Sequence, residues 1–128
     1  MDTRAKIIDL ASATAIATSL QGQGARLKLV AGYFDVLTPD HVRRLRALSN
    51  GERIIAVVLD PPDPLLPPRA RAELAASLSM IDYVLLLHGA SLEQALEQIR
   101  PHEVVREEVA DGQRSQALIE HVHRRQRG

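Results

Sequence analysis

Hydrophobic and polar positions along this chain change period several times, and the changes mark out its elements. Over residues 2–20, Ile7, Leu10, Ala13, Ala17 and Leu20 recur at helical spacing, and Gln21-Gly22-Gln23-Gly24 stops the run. Residues 26–31 read as a short strand with Leu27, Leu29 and Val30 apolar. A turn at Gly32 leads to a helix from about Thr38 to Leu48, closed by Asn50-Gly51. Residues 53–59 are almost continuously apolar, as in a strand covered on both faces. Residues 60–68 carry five prolines in nine positions, which excludes helix and central strand and predicts a loop. A helix is predicted over 69–80, with Pro68 near its start, and a third buried strand over 83–88. Ser91, with Gln94 three residues on, has the spacing of a capping box for a helix over 91–100. A more polar fourth strand over 103–109, a turn at Asp111-Gly112 and a last helix over 114–125 complete the chain.

Strands alternating with helices require crossover connections, which are right-handed and give a mainly parallel sheet with helices on both faces. The expected class is therefore α/β: a three-layer α/β/α Rossmann-like domain with four to five strands, spanning residues 1–128 as one unit. Sheets of this kind bind ligands beyond the carboxyl ends of their strands, where the strand order reverses. The loop after the first strand, starting at Gly32, is thus the first place to look for chemistry.

Composition removes several alternatives. The chain has 16 Lys and Arg against 16 Asp and Glu, and neither half is basic enough to capture nucleic acid or an anionic membrane. There is no cysteine, which excludes disulfide scaffolds, Cys-based zinc sites and thiol nucleophiles, and fits a cytoplasmic protein. No apolar run approaches the roughly 20 residues that span a bilayer, and the mixed charge of Met1-Asp2-Thr3-Arg4-Ala5-Lys6 is unlike a signal peptide. Tyr33, Phe34 and Tyr83 are the three aromatic residues, and two of them sit in the loop singled out above.

That loop reads Gly32-Tyr33-Phe34-Asp35-Val36-Leu37-Thr38-Pro39-Asp40-His41. It resembles the G-x-F-D-x-x-H-x-G-H signature of the cytidylyltransferase-like nucleotidyltransferase superfamily. The leading helix with its Gln/Gly segment is similar to the adenylyltransferase domain of heptose-phosphate nucleotidyltransferases. So are Arg71-Ala72-Glu73-Leu74-Ala75-Ala76 with Ile81-Asp82-Tyr83-Val84, and Asp111-Gly112 with Ala117-Leu118-Ile119. The resemblance implies transfer of AMP or CMP from ATP or CTP to a sugar phosphate or similar acceptor, with release of pyrophosphate. It implies magnesium carried by the triphosphate as the one cofactor, and a homodimer. His41 and Thr38 then fall at the catalytic positions, and Gly32, Tyr33, Phe34, Asp35, Arg71 and Ser115 at the nucleotide-binding ones.

The departures from that pattern carry as much information as the matches. Thr38 stands where the family has its first histidine, and Asp40 where it has glycine; prolines 61–68 replace a lysine-bearing stretch, and Arg114-Ser115-Gln116 replaces S-T-T. Two like charges about 4 Å apart repel by roughly 4 kcal/mol at an effective dielectric near 20, so an acid in the helix's first turn opposes a triphosphate there. Loss of one imidazole donor removes on the order of 2.7–4 kcal/mol by analogy with an oxyanion-hole donor. Thr38-Pro39-Asp40 is also a good structural helix start: a Thr cap, Pro at the first position and an acid at the positive end of the dipole. In that reading Asp40 supplies the negative charge that a phosphate would otherwise bring.

Three functions follow. The first is a nucleotidyltransferase-derived domain in which nucleotide binding is retained and transfer is weak or lost, with His41 and Arg71 as phosphate ligands and Thr38 as a weaker donor; Arg71 falls on the exposed or cleft side of its helix, where it faces the nucleotide or simply meets a nearby acid or solvent. The second is a non-catalytic member of the fold kept as a binding or assembly module, and the third a general small-ligand pocket at the same strand ends; the alternative to the first is an active transferase. His121 and His123, two apart on a helix, do not share a face and make no metal pair. Ser115 lacks the G-x-S-x-G context of a hydrolase nucleophile.

Overall fold

The computed structural model describes residues 2–108, 111, 113 and 115–120. The chain opens with a 3-10 turn, Thr3–Lys6, then a two-residue strand β1, Ile7–Ile8, and then helix α1, Leu10–Gly22. The single helix expected over 2–20 is therefore broken. Ile7 and Ile8 are β-branched and suit a strand, while the Asp9 carboxylate accepts the Ser12 N–H at 2.8 Å and starts α1 as its N-cap.

Strand β2, Leu27–Gly32, helix α2, Pro39–Ser49, strand β3, Arg53–Val58, and helix α3, Pro68–Ala76, follow. Strand β4, Tyr83–Leu86, helix α4, Leu92–Ile99, and strand β5, Glu103–Arg106, complete the named elements. Both halves of the expected capping box are present: Gln94 N–H donates to Ser91 Oγ at 3.1 Å and Ser91 N–H to Gln94 Oε1 at 2.9 Å. Helix α3 stops at Ala76 rather than at Met80, and β5 stops at Arg106 because the chain turns into a helix: residues 108, 111, 113 and 115–120 are helical. Asp111, expected in a turn, thus sits on a helix. Gly112, Arg114, His121, His123 and the rest of residues 121–128 lie outside the described residues.

Among the described residues five strands form one parallel sheet, in the order β1-β4-β3-β2-β5. The architecture is a three-layer α/β/α Rossmann-like fold. Its faces follow the period-two alternation of the strands. Leu27, Leu29 and Ala31 of β2 and Ile55 and Val57 of β3 pack against Ala13 and Ala17 of α1 and Leu92, Ala95 and Ile99 of α4. Val30, Ile54, Ala56 and Val58 pack on the other side against Leu45 of α2 and Ala72, Ala75 and Ala76 of α3. The chain steps β2→β3→β4 in one direction across the sheet, with α2 and α3 on one face, and then returns past β2 to β5 through α4 on the other. The order reverses at the carboxyl ends of β2 and β5. Among the described residues no helix is long and apolar enough to cross a membrane.

The amino end of the sheet is closed by charge pairs. Lys28 is buried and its Nζ lies 2.9 Å from Glu52 Oε2 and 3.3 Å from Glu103 Oε2, tying β2 to the start of β3 and to β5. Hydrogen bonds from Arg26, then from Lys28, hold the Glu52 carboxyl below its usual range.

Candidate functional site

Two clefts open at the carboxyl ends of the strands. The first lies at the β2/β5 reversal, where the sequence pointed. After Gly32 the chain passes through Phe34 in the left-handed region (φ 53°), an uncommon conformation for a bulky residue. Burial holds it there: Phe34 has no exposed surface, and its ring stacks at 6.2 Å on the ring of His41, itself buried at the start of α2. Thr38 Oγ1 accepts the His41 N–H at 3.3 Å, and Pro39 takes the first helical position, as a good helix start requires.

The remaining expected nucleotide ligands are engaged by the protein itself. Asp35 is buried, and its two oxygens accept the backbone N–H groups of Leu65 (2.6 Å) and Leu66 (2.8 Å) in the proline loop. Arg71, expected on the exposed or cleft side of its helix, is instead 1% exposed, and it does meet a nearby acid. Its guanidinium donates to Leu66 O (3.1 Å), Leu59 O (2.6 Å), Tyr33 O (3.3 Å) and Asp60 Oδ1 (2.9 Å). A planar fork of donors meeting three carbonyls and a carboxylate is a structural clasp. It joins the proline loop, the end of β3 and the loop after β2, because those segments carry backbone oxygens that have no ladder partner there.

Asp40 lies in the first turn of α2, as the sequence reading placed it, but it faces solvent rather than the cleft. Its side chain is 89% exposed and pairs with Arg43 one turn on. The carboxylate that reaches the start of α2 belongs to Asp111. Asp111 is buried; its Oδ2 accepts the Tyr33 N–H at 2.7 Å and its Oδ1 lies 3.6 Å from His41 Nε2. Glu107, one helical turn earlier, is buried too and is paired with Arg44 of α2 at 2.7 Å. Gly32 is what permits this closeness, since a Cβ there would overlap Asp111 Oδ2 and touch Phe34 and Glu107 at 3.4 Å. What is left open is a cleft of about 200 Å³ lined by Tyr33, Asp35, Asp63 and Ser115, with Pro61 and Pro62. The structure thus brings Tyr33, Asp35 and Ser115 together, but around a small acidic space.

The second cleft lies at the ends of β3 and β4. It measures about 680 Å³ and is floored by Val58 and Leu86, with Asp60, Arg69 and His88 among its lining and Pro67 and Pro68 on one wall. Its size is within the span of about 300–1,000 Å³ usual for small-molecule sites. Sequence reasoning missed this cleft, and it missed Asp111, Glu107 and Arg44. One signal for the carboxylates was available: Glu107, Glu108 and Asp111 are spaced as the acidic first turn of a helix. Nothing in the sequence placed that turn against Gly32.

No family model matches the chain. An FAD synthase of Halomicrobium mukohataei is 35% identical over 77 residues, covering 55% of this chain and 54% of that protein. The chain therefore matches about half the length of this curated relative. Among solved structures, the lipopolysaccharide core biosynthesis protein from Thermoplasma volcanium superposes with a TM-score of 0.56 at 18% identity, over 62% of this chain and 71% of that one. The likeness to the solved structure shows the fold, a Rossmann-like α/β/α one, and the likeness in sequence is to about half of an FAD synthase. Among the described residues no group of three His, Asp or Glu side chains could hold a metal ion.

Proposed function

We propose that this chain is a nucleotidyltransferase-derived domain in which nucleotidyl transfer has been lost and a ligand-binding scaffold remains. The observation that carries this reading is the state of Arg71: a guanidinium expected to face a nucleotide is buried and makes four hydrogen bonds to the protein itself. The charge balance points the same way. Asp35 and Asp63 line the β2/β5 cleft and Asp111 holds the Tyr33 N–H beside it, and each unit charge within about 4 Å of a phosphate opposes it by roughly 4 kcal/mol at an effective dielectric near 20. Any magnesium would have to arrive on the triphosphate. The larger β3/β4 cleft is where a small ligand fits, in the manner of a binding module.

A second reading is favoured by the stretch similar to an FAD synthase: an active transferase moving AMP or CMP to a phosphate acceptor, with His41 and Thr38 at the reacting phosphates and Gly32, Tyr33, Phe34, Asp35, Arg71 and Ser115 around the nucleotide. The homodimer expected from the resemblance belongs to the same proposal, with half-exposed Val104 on the edge strand β5 as one apolar contact; sedimentation velocity reads it. Calorimetry with ATP and CTP, with and without magnesium, together with pyrophosphate release on sugar phosphates, separates the readings. Loss of transfer predicts no pyrophosphate above background. Turnover with either nucleotide would establish the second reading instead.

A further inference from the structure

The reversal between β2 and β5 is where a parallel sheet of this kind ordinarily seats an outside ligand. In this protein the seat is taken by a group of its own. Asp111 projects from the helix that follows β5 into the space above Gly32, with Tyr33 N–H donating to Oδ2 at 2.7 Å and His41 Nε2 lying 3.6 Å from Oδ1. A backbone N–H, an imidazole and a glycine without a side chain form the kind of surroundings that receive a compact oxyanion. The close approach that Gly32 allows is used by an internal carboxylate oxygen.

We infer that Asp111 occupies a seat for a phosphate-sized oxyanion and holds it shut, so that the last helix acts as a built-in plug. Two oxygens of the carboxylate stand in for two oxygens of the anion. Glu107 does not add an uncompensated charge to the seat, because Arg44 pairs with it at 2.7 Å. Withdrawing Asp111 takes a carboxylate off the Tyr33 N–H and away from His41, and leaves the seat with one negative charge fewer. This inference rests on the reading that transfer is lost, but it is decided separately. Pyrophosphate release by the wild-type chain would sink that reading, whereas anion binding by variants with no nucleotide present decides this one.

The test is thermal unfolding of the wild-type chain and Asp111→Ala in inorganic phosphate, against chloride at equal ionic strength. With about 10 mM phosphate, Asp111→Ala should gain about 3–6 °C in Tm, rising with concentration, while the wild type moves by about 1 °C or less. A folded Asp111→Ala that shows no phosphate-specific gain overturns the proposal, as does an equal gain in the wild type. Should Asp111→Ala not fold, Asp111→Ser carries the test. Its hydroxyl is too short to reach the Tyr33 N–H and carries no charge, so its phosphate response should exceed that of the wild type. A response equal to the wild type overturns the inference. A gain in Asp111→Ala that sulfate reproduces and the Gly32→Ala, Asp111→Ala double variant abolishes places the anion at this seat; survival of the gain in the double variant would place it elsewhere and sink the assignment.

Discussion

The two clefts at the carboxyl edge of the sheet arise from the same architecture and have opposite contents. At β2/β5 the protein has filled the space with its own polar groups: Asp111 on the Tyr33 N–H, Glu107 on Arg44, and Asp35 on the proline loop. At β3/β4 a cleft of about 680 Å³ stays open between Pro67, Pro68 and His88. The difference teaches that a strand-order reversal supplies a place for a ligand but does not choose the ligand. Side chains arriving from the next helix decide whether the place is available.

Arg71 clasps the proline loop, the end of β3 and the loop after β2 at this edge, so its loss should have the largest effect. Arg71→Ala orphans the carbonyls of Leu59, Leu66 and Tyr33 and should cost about 3–5 kcal/mol in chemical denaturation. Arg71→Lys should recover less than half of that, since an ammonium cannot reproduce the fork. Stability within about 1 kcal/mol of wild type would mean that the clasp is incidental.

Gly32→Ala probes the filled cleft alone. Its Cβ would overlap the Asp111 carboxylate, and the expected cost is about 1–3 kcal/mol. The same change made together with Asp111→Ala should cost about 1 kcal/mol less than it does alone. Additive effects would show that the two residues do not meet.

Acid stability sharpens the contrast between the carboxyl edge and the opposite end of the sheet. Glu52 has its folded value depressed below the ordinary 4.5 by Arg26 and Lys28. A depressed carboxyl contributes stability that is present above its unfolded value and lost as the pH falls through its folded value, so this contribution fades below about pH 4.5. Glu52→Gln should flatten that acid-side slope and leave the phosphate response of Asp111→Ala unchanged. A changed phosphate response would tie together two ends of the molecule that the structure keeps apart.

The smallest effect is expected at Asp40. Because its side chain is exposed and meets Arg43, Asp40→Gly combined with Thr38→His should leave ATP affinity unchanged. A clear gain in calorimetry would return the block to Asp40.

The succession of β2 to β5 along the chain with helices between them, the parallel sheet that this implies and the caps of α2 and α4 were legible in the sequence because each rests on signals along the chain: apolar runs, Thr38-Pro39 and Ser91 with Gln94. The loop with Gly32, Phe34 and Asp35 was legible for the same reason. Residue placement in the clefts was not. Arg71 reads as an ordinary helix-surface arginine until the proline loop folds over it, and Asp111 reads as a turn residue beside Gly112. Their partners lie 38 and 78 residues away in Tyr33, and such pairings follow from sheet order, which periodicity does not carry. The first helix failed for a different reason: Ile7 and Ile8 satisfy helical spacing and strand preference equally, and pairing with Val84 and Leu85 of β4 decides between them.

The most direct measurement follows the Tyr33 backbone amide by nuclear magnetic resonance while magnesium–ATP is added to the wild-type chain. With the Asp111 carboxylate already seated on that N–H, its resonance should stay in place through the titration and should move on phosphate addition in Asp111→Ala. A saturable shift of the Tyr33 amide in the wild type would show an outside phosphate where the account places an internal carboxylate, and would contradict it.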